Sequence, residues 1–111
     1  MIQIDAAQAG QTVQITVGQV VELRLAENAG TGFRWQVTQD GEPNCRITRD
    51  FAEGAAGSHP NGARPGRGSS HVWLISGVQP GLCDLALSYQ RPWEANKPPA
   101  ASYTVRLRVS G

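Results

Sequence analysis

Hydrophobic and polar residues alternate along most of this chain. In the run Val20–Ala26, Val21, Leu23 and Leu25 share one side and Glu22 and Arg24 the other. Phe33, Trp35 and Val37 alternate with Arg34, Gln36 and Thr38. Cys83, Leu85, Leu87 and Tyr89 alternate with Asp84, Ala86, Ser88 and Gln90, the clearest case. A period of two predicts strands with one buried and one wet face. The same rule predicts strands over Ile2–Asp5, Val13–Val17, Cys45–Phe51 (Cys45, Ile47 and Phe51 inward), His71–Val78 and Tyr103–Val109. In His71–Val78, Trp73 and Ile75 take one face and Val72 and Leu74 the other. Gly10-Gln11, Gly18-Gln19, Asp40-Gly41-Glu42-Pro43 and Pro80-Gly81 punctuate these runs as turns. No stretch predicts a helix. Seven to eight short strands at regular spacing predict an all-β fold, an immunoglobulin-like antiparallel β-sandwich. Its 111 residues suffice for one domain, 1–111, around one core. Trp35 is expected to anchor that core from a central strand. The inter-sheet cysteine pair of antibody domains is not expected, because Val20–Ala26 carries no cysteine.

Three stretches break the pattern. Asn28-Ala29-Gly30-Thr31-Gly32 joins two predicted strands and contains only small residues around Asn28. Gly30 and Gly32 tolerate positive φ, so a narrow tip is expected there, with Asn28 and Thr31 as its polar groups. Ala52–Ser70 is nearly all Gly, Ala, Ser, Pro, Asn and Arg, and is expected to be a long structureless connection. Arg91-Pro92-Trp93-Glu94 follows a strand and places a large aromatic in a loop, where such residues often anchor a partner. In a Greek-key sandwich these stretches would join strands B–C, D–E and F–G and emerge at one end, as the binding loops of variable domains do.

Composition narrows the chemistry. Ten basic and nine acidic residues leave a net charge of +1, which gives no reason to expect nucleic acid or an anionic membrane as partner. No apolar run reaches the length of a membrane span, and the N-terminus shows no signal peptide. Compartment stays open. Cys45 and Cys83 lie in strand-like runs, and two buried thiols are expected, with a single disulfide in an oxidising compartment as the alternative. His59 and His71 are not spaced with the cysteines as a zinc site would be, so neither metal nor other cofactor is expected. His59 reads as solvated and His71 as a surface residue at a strand start. The carboxylates form no pair at a readable spacing, and Gly66-Arg67-Gly68 lacks the helix that a phosphate loop needs. The chain is therefore not expected to be an enzyme.

Three motifs in order carry a resemblance to the chagasin-type inhibitors of papain-like cysteine peptidases. Asn28, Thr31, Gly32 and Trp35 match the family's Asn-Pro-Thr-Thr-Gly tip and following tryptophan, with Phe33 as the intervening aromatic. Gly66-Arg67-Gly68-Ser69 resembles its Gly-x-Gly-Gly, with Trp73 downstream, and Arg91-Pro92-Trp93 repeats its third motif in full. Ala29 and Gly30 replace Pro and Thr, and Ser69 replaces Gly, so the first loop is less stiff than in relatives. The resemblance implies an immunoglobulin-like sandwich that inhibits reversibly and without covalent chemistry. It further implies a wedge of three loops, the Asn28–Gly32 tip entering the peptidase cleft with Thr31 nearest the catalytic pair and Phe33 following it among the binding residues, and Gly66–Ser69 and Arg91–Trp93 gripping either side. A monomer is expected, since the loops must stay free. A non-inhibitory adhesion or ligand-binding sandwich is the alternative.

Overall fold

The computed structural model describes residues 1–27, 32–53, 69–94 and 96–111, with Ser69 described by its backbone alone. The alternating runs become eight strands: β1 (Ile2–Ile4), β2 (Thr12–Thr16), β3 (Val20–Glu27), β4 (Arg34–Asp40), β5 (Cys45–Glu53), β6 (Ser69–Gly77), β7 (Gly81–Gln90) and β8 (Ala101–Ser110). They form two four-stranded sheets, β1-β3-β6-β5 and β2-β8-β7-β4, stacked as an immunoglobulin-like sandwich. Pairing is antiparallel except at the edge carrying β1 and β2, which run parallel to β3 and β8. There the chain changes sheets without reversing. A single 3₁₀ turn, Ala6–Gln8, makes the switch, and Asp5 and Gln8 cap it reciprocally.

The inward parity is as the alternation requires. Val21, Leu23 and Leu25 of β3, Trp73 and Ile75 of β6, Leu85 and Leu87 of β7, and Tyr103, Val105, Leu107 and Val109 of β8 are buried together. Each such side chain contributes about 1.5–3 kcal/mol relative to exposure. Val72 is buried too, although it faces outward. Its cross-strand neighbours on that side are Arg24 and Phe51, and Arg24 ion-pairs with Glu53 and Glu22. Phe51 lies there because β5 bulges between Ile47 and Arg49, which reverses the parity of everything after it. The expected inward Phe51 is thereby corrected. It carries the Arg49 guanidinium 5.1 Å from its ring centre instead.

Two other expectations change. β4 is an edge strand, so Trp35 is only half-buried and packs on the margin of the core, while the buried tryptophan is Trp73 of β6. Cys45 and Cys83 are not thiols. They form a disulfide with Cα atoms 6.0 Å apart, and it joins β5 of one sheet to β7 of the other. The sandwich thus has an inter-sheet bridge on different strands from those of antibody domains. Strand ends also extend into the expected structureless stretch, since Ala52 and Glu53 belong to β5 and Ser69 and Ser70 to β6. The residues between them lie outside the described ones.

Tyr103 ties the first strand region to β8. Its hydroxyl donates to the Asp5 carbonyl at 2.9 Å, and burial pushes the phenol up to about 12, with the Asp5 charge adding. The folded value lies above the usual value near 10, so this stabilisation is intact below about pH 10 and is lost as pH rises to about 12. Ionising the buried phenol over that span costs the fold roughly 2–3 kcal/mol. Tyr103→Phe should lower stability by about 1 kcal/mol at neutral pH. It should also flatten the decline in urea midpoint between about pH 10 and about pH 12. An unchanged alkaline decline in that variant would assign the slope to another group.

Candidate functional site

The strand registers bring six strand ends to one end of the sandwich. Glu27 at the end of β3 pairs with Ser69 at the start of β6, and Glu53 at the end of β5 pairs with Ser70. In the other sheet Arg34 pairs with Gln90, and Tyr89 with Ala101. The connections 28–33, 54–68 and 91–100 therefore all depart from this end. The sheets are tied together here by Trp35. Its backbone N–H donates to Glu27 Oε2 at 2.9 Å and its indole Nε1 donates to the Ala26 carbonyl at 2.8 Å.

An aromatic stack supports the first and third connections. Phe33 stacks on Tyr89, ring centres 5.3 Å apart, and Tyr89 packs on Trp35 at 4.8 Å. The Arg91 guanidinium sits 4.5 Å from the centre of the Phe33 ring, a cation–π contact between the two segments. Arg91 also reaches Glu94 at 3.6 Å, and Lys97 donates to Glu94 at 3.0 Å. The Lys97 hydrogen bond, with the charges of Lys97 and Arg91, holds the Glu94 carboxyl below the usual carboxylate range despite some desolvation. Backbone bonds from Glu94 N–H to the Arg91 carbonyl and from Lys97 N–H to the Glu94 carbonyl set the turn itself.

Gly32 and Trp93 meet across this end. Gly32 has φ of +82°, and a β-carbon on it would stand 2.5 Å from Cη2 of Trp93. Only glycine satisfies both the backbone and the approach. Trp93 is nevertheless 71% exposed, the most exposed aromatic among the described residues. Pro92 beside it is exposed as well.

Of the sequence-predicted site residues, Gly32, Phe33, Arg91, Pro92 and Trp93 are thus gathered at one end. The backbone of Ser69 lies there too, opposite Glu27. Asn28, Ala29, Gly30, Thr31, Gly66, Arg67 and Gly68 lie outside the described residues. Sequence reasoning missed Glu27 and misjudged His71. Glu27 is only 4% exposed, and His71 is half-buried rather than a surface residue. His71 stacks on Trp73 at 4.4 Å, and its ring nitrogens face Glu27 and Asp50. The signal was present: Glu27 has the inward parity of Val21, Leu23 and Leu25, and a carboxylate on an apolar face demands partners. The three groups form a chain rather than a converging ligand set. Among the described residues no group of three or more His, Cys, Asp or Glu is placed to hold a metal ion.

The sequence model described as "Chagasin family peptidase inhibitor I42" matches residues 14–107. Amoebiasin-1 of Entamoeba histolytica is 32% identical over 99 residues, covering 89% of this chain and 88% of the relative. The crystal structure of the cysteine protease inhibitor EhICP2, also from Entamoeba histolytica, superposes with a TM-score of 0.83 at 22% identity, over 98% of this chain and 95% of that one. PbICP-C, solved in complex with falcipain-2, superposes with a TM-score of 0.60 at 18% identity, over 99% of this chain and all of that one. With a family match across nearly all of the sandwich and a relative above 30% identity over most of its length, this chain belongs to the chagasin family of peptidase inhibitors.

Proposed function

We infer that this protein is a reversible, non-covalent inhibitor of papain-like cysteine peptidases, acting as a monomer and as one inhibitory domain. It blocks the active-site cleft with segments 28–33, 66–69 and 91–93, and it catalyses nothing itself. One observation carries the reading: a tryptophan left 71% exposed beside a glycine that its ring approaches too closely for any β-carbon. A large aromatic left in water at the end that gathers these segments fits a binding anchor. The Arg91–Phe33–Tyr89–Trp35 stack orders Phe33 and Arg91, the residues flanking this anchor in the first and third segments, which lowers the ordering cost of binding. EhICP2 is a cysteine protease inhibitor, and PbICP-C was solved with falcipain-2 bound, which supports the target class.

The test is a titration of papain activity with purified protein, recorded as full progress curves. Dose-dependent loss of activity that reverses on dilution, without cleavage of the added protein, is the expected result. Absence of inhibition across papain and a panel of related peptidases, with a folded protein, would favour a non-inhibitory binding module on the same scaffold.

A further inference from the structure

We propose that Glu27, His71 and Asp50 form a positioning relay that sets the roots of the first two binding segments together, and that protonation of His71 tightens it. The inference rests on the inhibitory reading above. Glu27 is the last residue before segment 28–33, and Asp50 and His71 lie near the ends of the two strands that flank segment 54–68. His71 Nε2 lies 2.9 Å from Asp50 Oδ1, and Nδ1 lies 3.4 Å from Glu27 Oε1. The second Glu27 oxygen accepts the Trp35 amide across the sandwich, which pins the far side of the first segment.

Asp50 reaches this position through the bulge in β5. Simple alternation after Ile47 would turn residue 50 outward, but the register shift before Arg49 pairs Asp50 with inward-facing Trp73. Bulges commonly re-aim a side chain at a functional site, and this one delivers a second carboxylate to the imidazole. Among the described residues the charged groups beside His71 come from both neighbouring strands, buried Glu27 from β3 and Asp50, with its side chain 55% exposed, from β5, while its own strand contributes the Trp73 ring. The facing sheet brings Trp35 and the titratable Tyr89 to this end, and Arg91 lies over Phe33. Arg24, the basic residue of β3, is engaged on the opposite face.

A neutral imidazole carries one N–H and can bond only one of its two carboxylates, leaving a ring lone pair facing the other. A protonated ring donates to both. A charged His71 therefore adds a second side-chain bond to the strand pairing that already joins the roots, so inhibition should be tighter in acid.

The experiment compares wild type, Glu27→Gln, Glu27→Ala and His71→Gln against papain at about pH 5.5 and about pH 8, a span over which imidazoles change charge. Taking each variant's ratio to wild type at the same pH removes the enzyme's own pH dependence. Wild type should lose about fivefold more affinity between the two values than His71→Gln does. Glu27→Gln retains an acceptor for the Trp35 amide, so it should lie within about threefold of wild type at the higher pH and lose the acid advantage. Glu27→Ala should be about tenfold weaker at both. Should the alanine variant fail to fold, the two glutamine variants carry the test.

Amide hydrogen exchange of the free proteins is measured alongside. Protection of the Trp35 amide should persist in Glu27→Gln and fall in Glu27→Ala. Equal pH ratios in wild type and His71→Gln, or Trp35 protection indifferent to Glu27→Ala, would overturn the proposal. A wild type that inhibits nothing would sink the inhibitory reading instead, and Trp35 protection in Glu27→Ala and His71→Gln, each against wild type at the same pH, would still decide the relay.

Discussion

Trp93→Ala is expected to weaken inhibition of a papain-like peptidase by about thirtyfold or more, which corresponds to about 2 kcal/mol or more. The same change should leave folding stability within about 0.5 kcal/mol of wild type, because the side chain is 71% exposed. The divergence between the two readouts is the informative part. A residue that stabilises the loop end would move both, whereas a preformed anchor moves only the affinity. Gly32→Ala supplies the companion measurement. Its β-carbon would fall 2.5 Å from Cη2 of Trp93, at a backbone φ of +82°. The exposed indole can swing away, so the fold should survive at a cost of about 1–2 kcal/mol from the left-handed backbone. The indole would then point elsewhere, and inhibition should weaken although Trp93 is still present. Titration with each variant and thermal melts of both proteins check this pair. Full inhibition by Gly32→Ala would show that the Trp93 pose matters little.

How far the sequence discloses this molecule follows from what periodicity encodes. Alternation depends on a strand's own two faces, so β3, β7 and β8 were legible to within two residues at either end. It does not encode which sheet a strand joins or where in the sheet it lies. Trp35 has the inward parity of a core residue, yet an edge position leaves it half-covered, while Trp73 in a middle strand is enclosed. Nor does alternation survive a bulge. One extra residue near Thr48 turned Phe51 outward and brought the still exposed Asp50 to the side of the sheet that carries His71, and so hid one member of the relay from any reading of the pattern. The site was legible where it rests on local motifs. Gly32, Phe33 and Arg91-Pro92-Trp93 are gathered by strand connections that a Greek-key order already implies. Glu27 escaped notice because it lies one residue beyond where the predicted strand was ended, just past exposed Ala26.

The cysteine pair shows the same limit with the larger consequence for stability. A chain of this length does not require a covalent staple, but need is not geometry. Cys45 and Cys83 each point inward, from β5 and β7 in opposite sheets, and both are fully buried. Gly41 packs beside them, where a β-carbon would lie 3.2 Å from Cβ of Cys83 and 3.3 Å from Cβ of Cys45. The bridge spans 38 residues of sequence. A crosslink of that length restricts the unfolded chain by about 4 kcal/mol in the chain-entropy view. Protein refolded with both thiols reduced should therefore be less stable by about 3–4 kcal/mol, a large part of the 5–15 kcal/mol typical of a domain. Its dependence on urea should steepen, since the released chain exposes more surface on unfolding. Inhibition should not follow. Cys45 opens β5 and Cys83 lies near the start of β7, whereas the binding segments leave from the ends of those strands. Under conditions where the reduced protein is still folded, its affinity for the peptidase should stay within about twofold of the oxidised form. Equal stability of the two forms would show that the bridge adds little beyond packing. A matching loss of affinity would show that the two ends of the sandwich are coupled. Thiol reductant in an inhibition assay should have no effect on the oxidised protein over the time of the measurement, because a thiolate cannot reach sulfurs buried between the sheets until the sandwich opens.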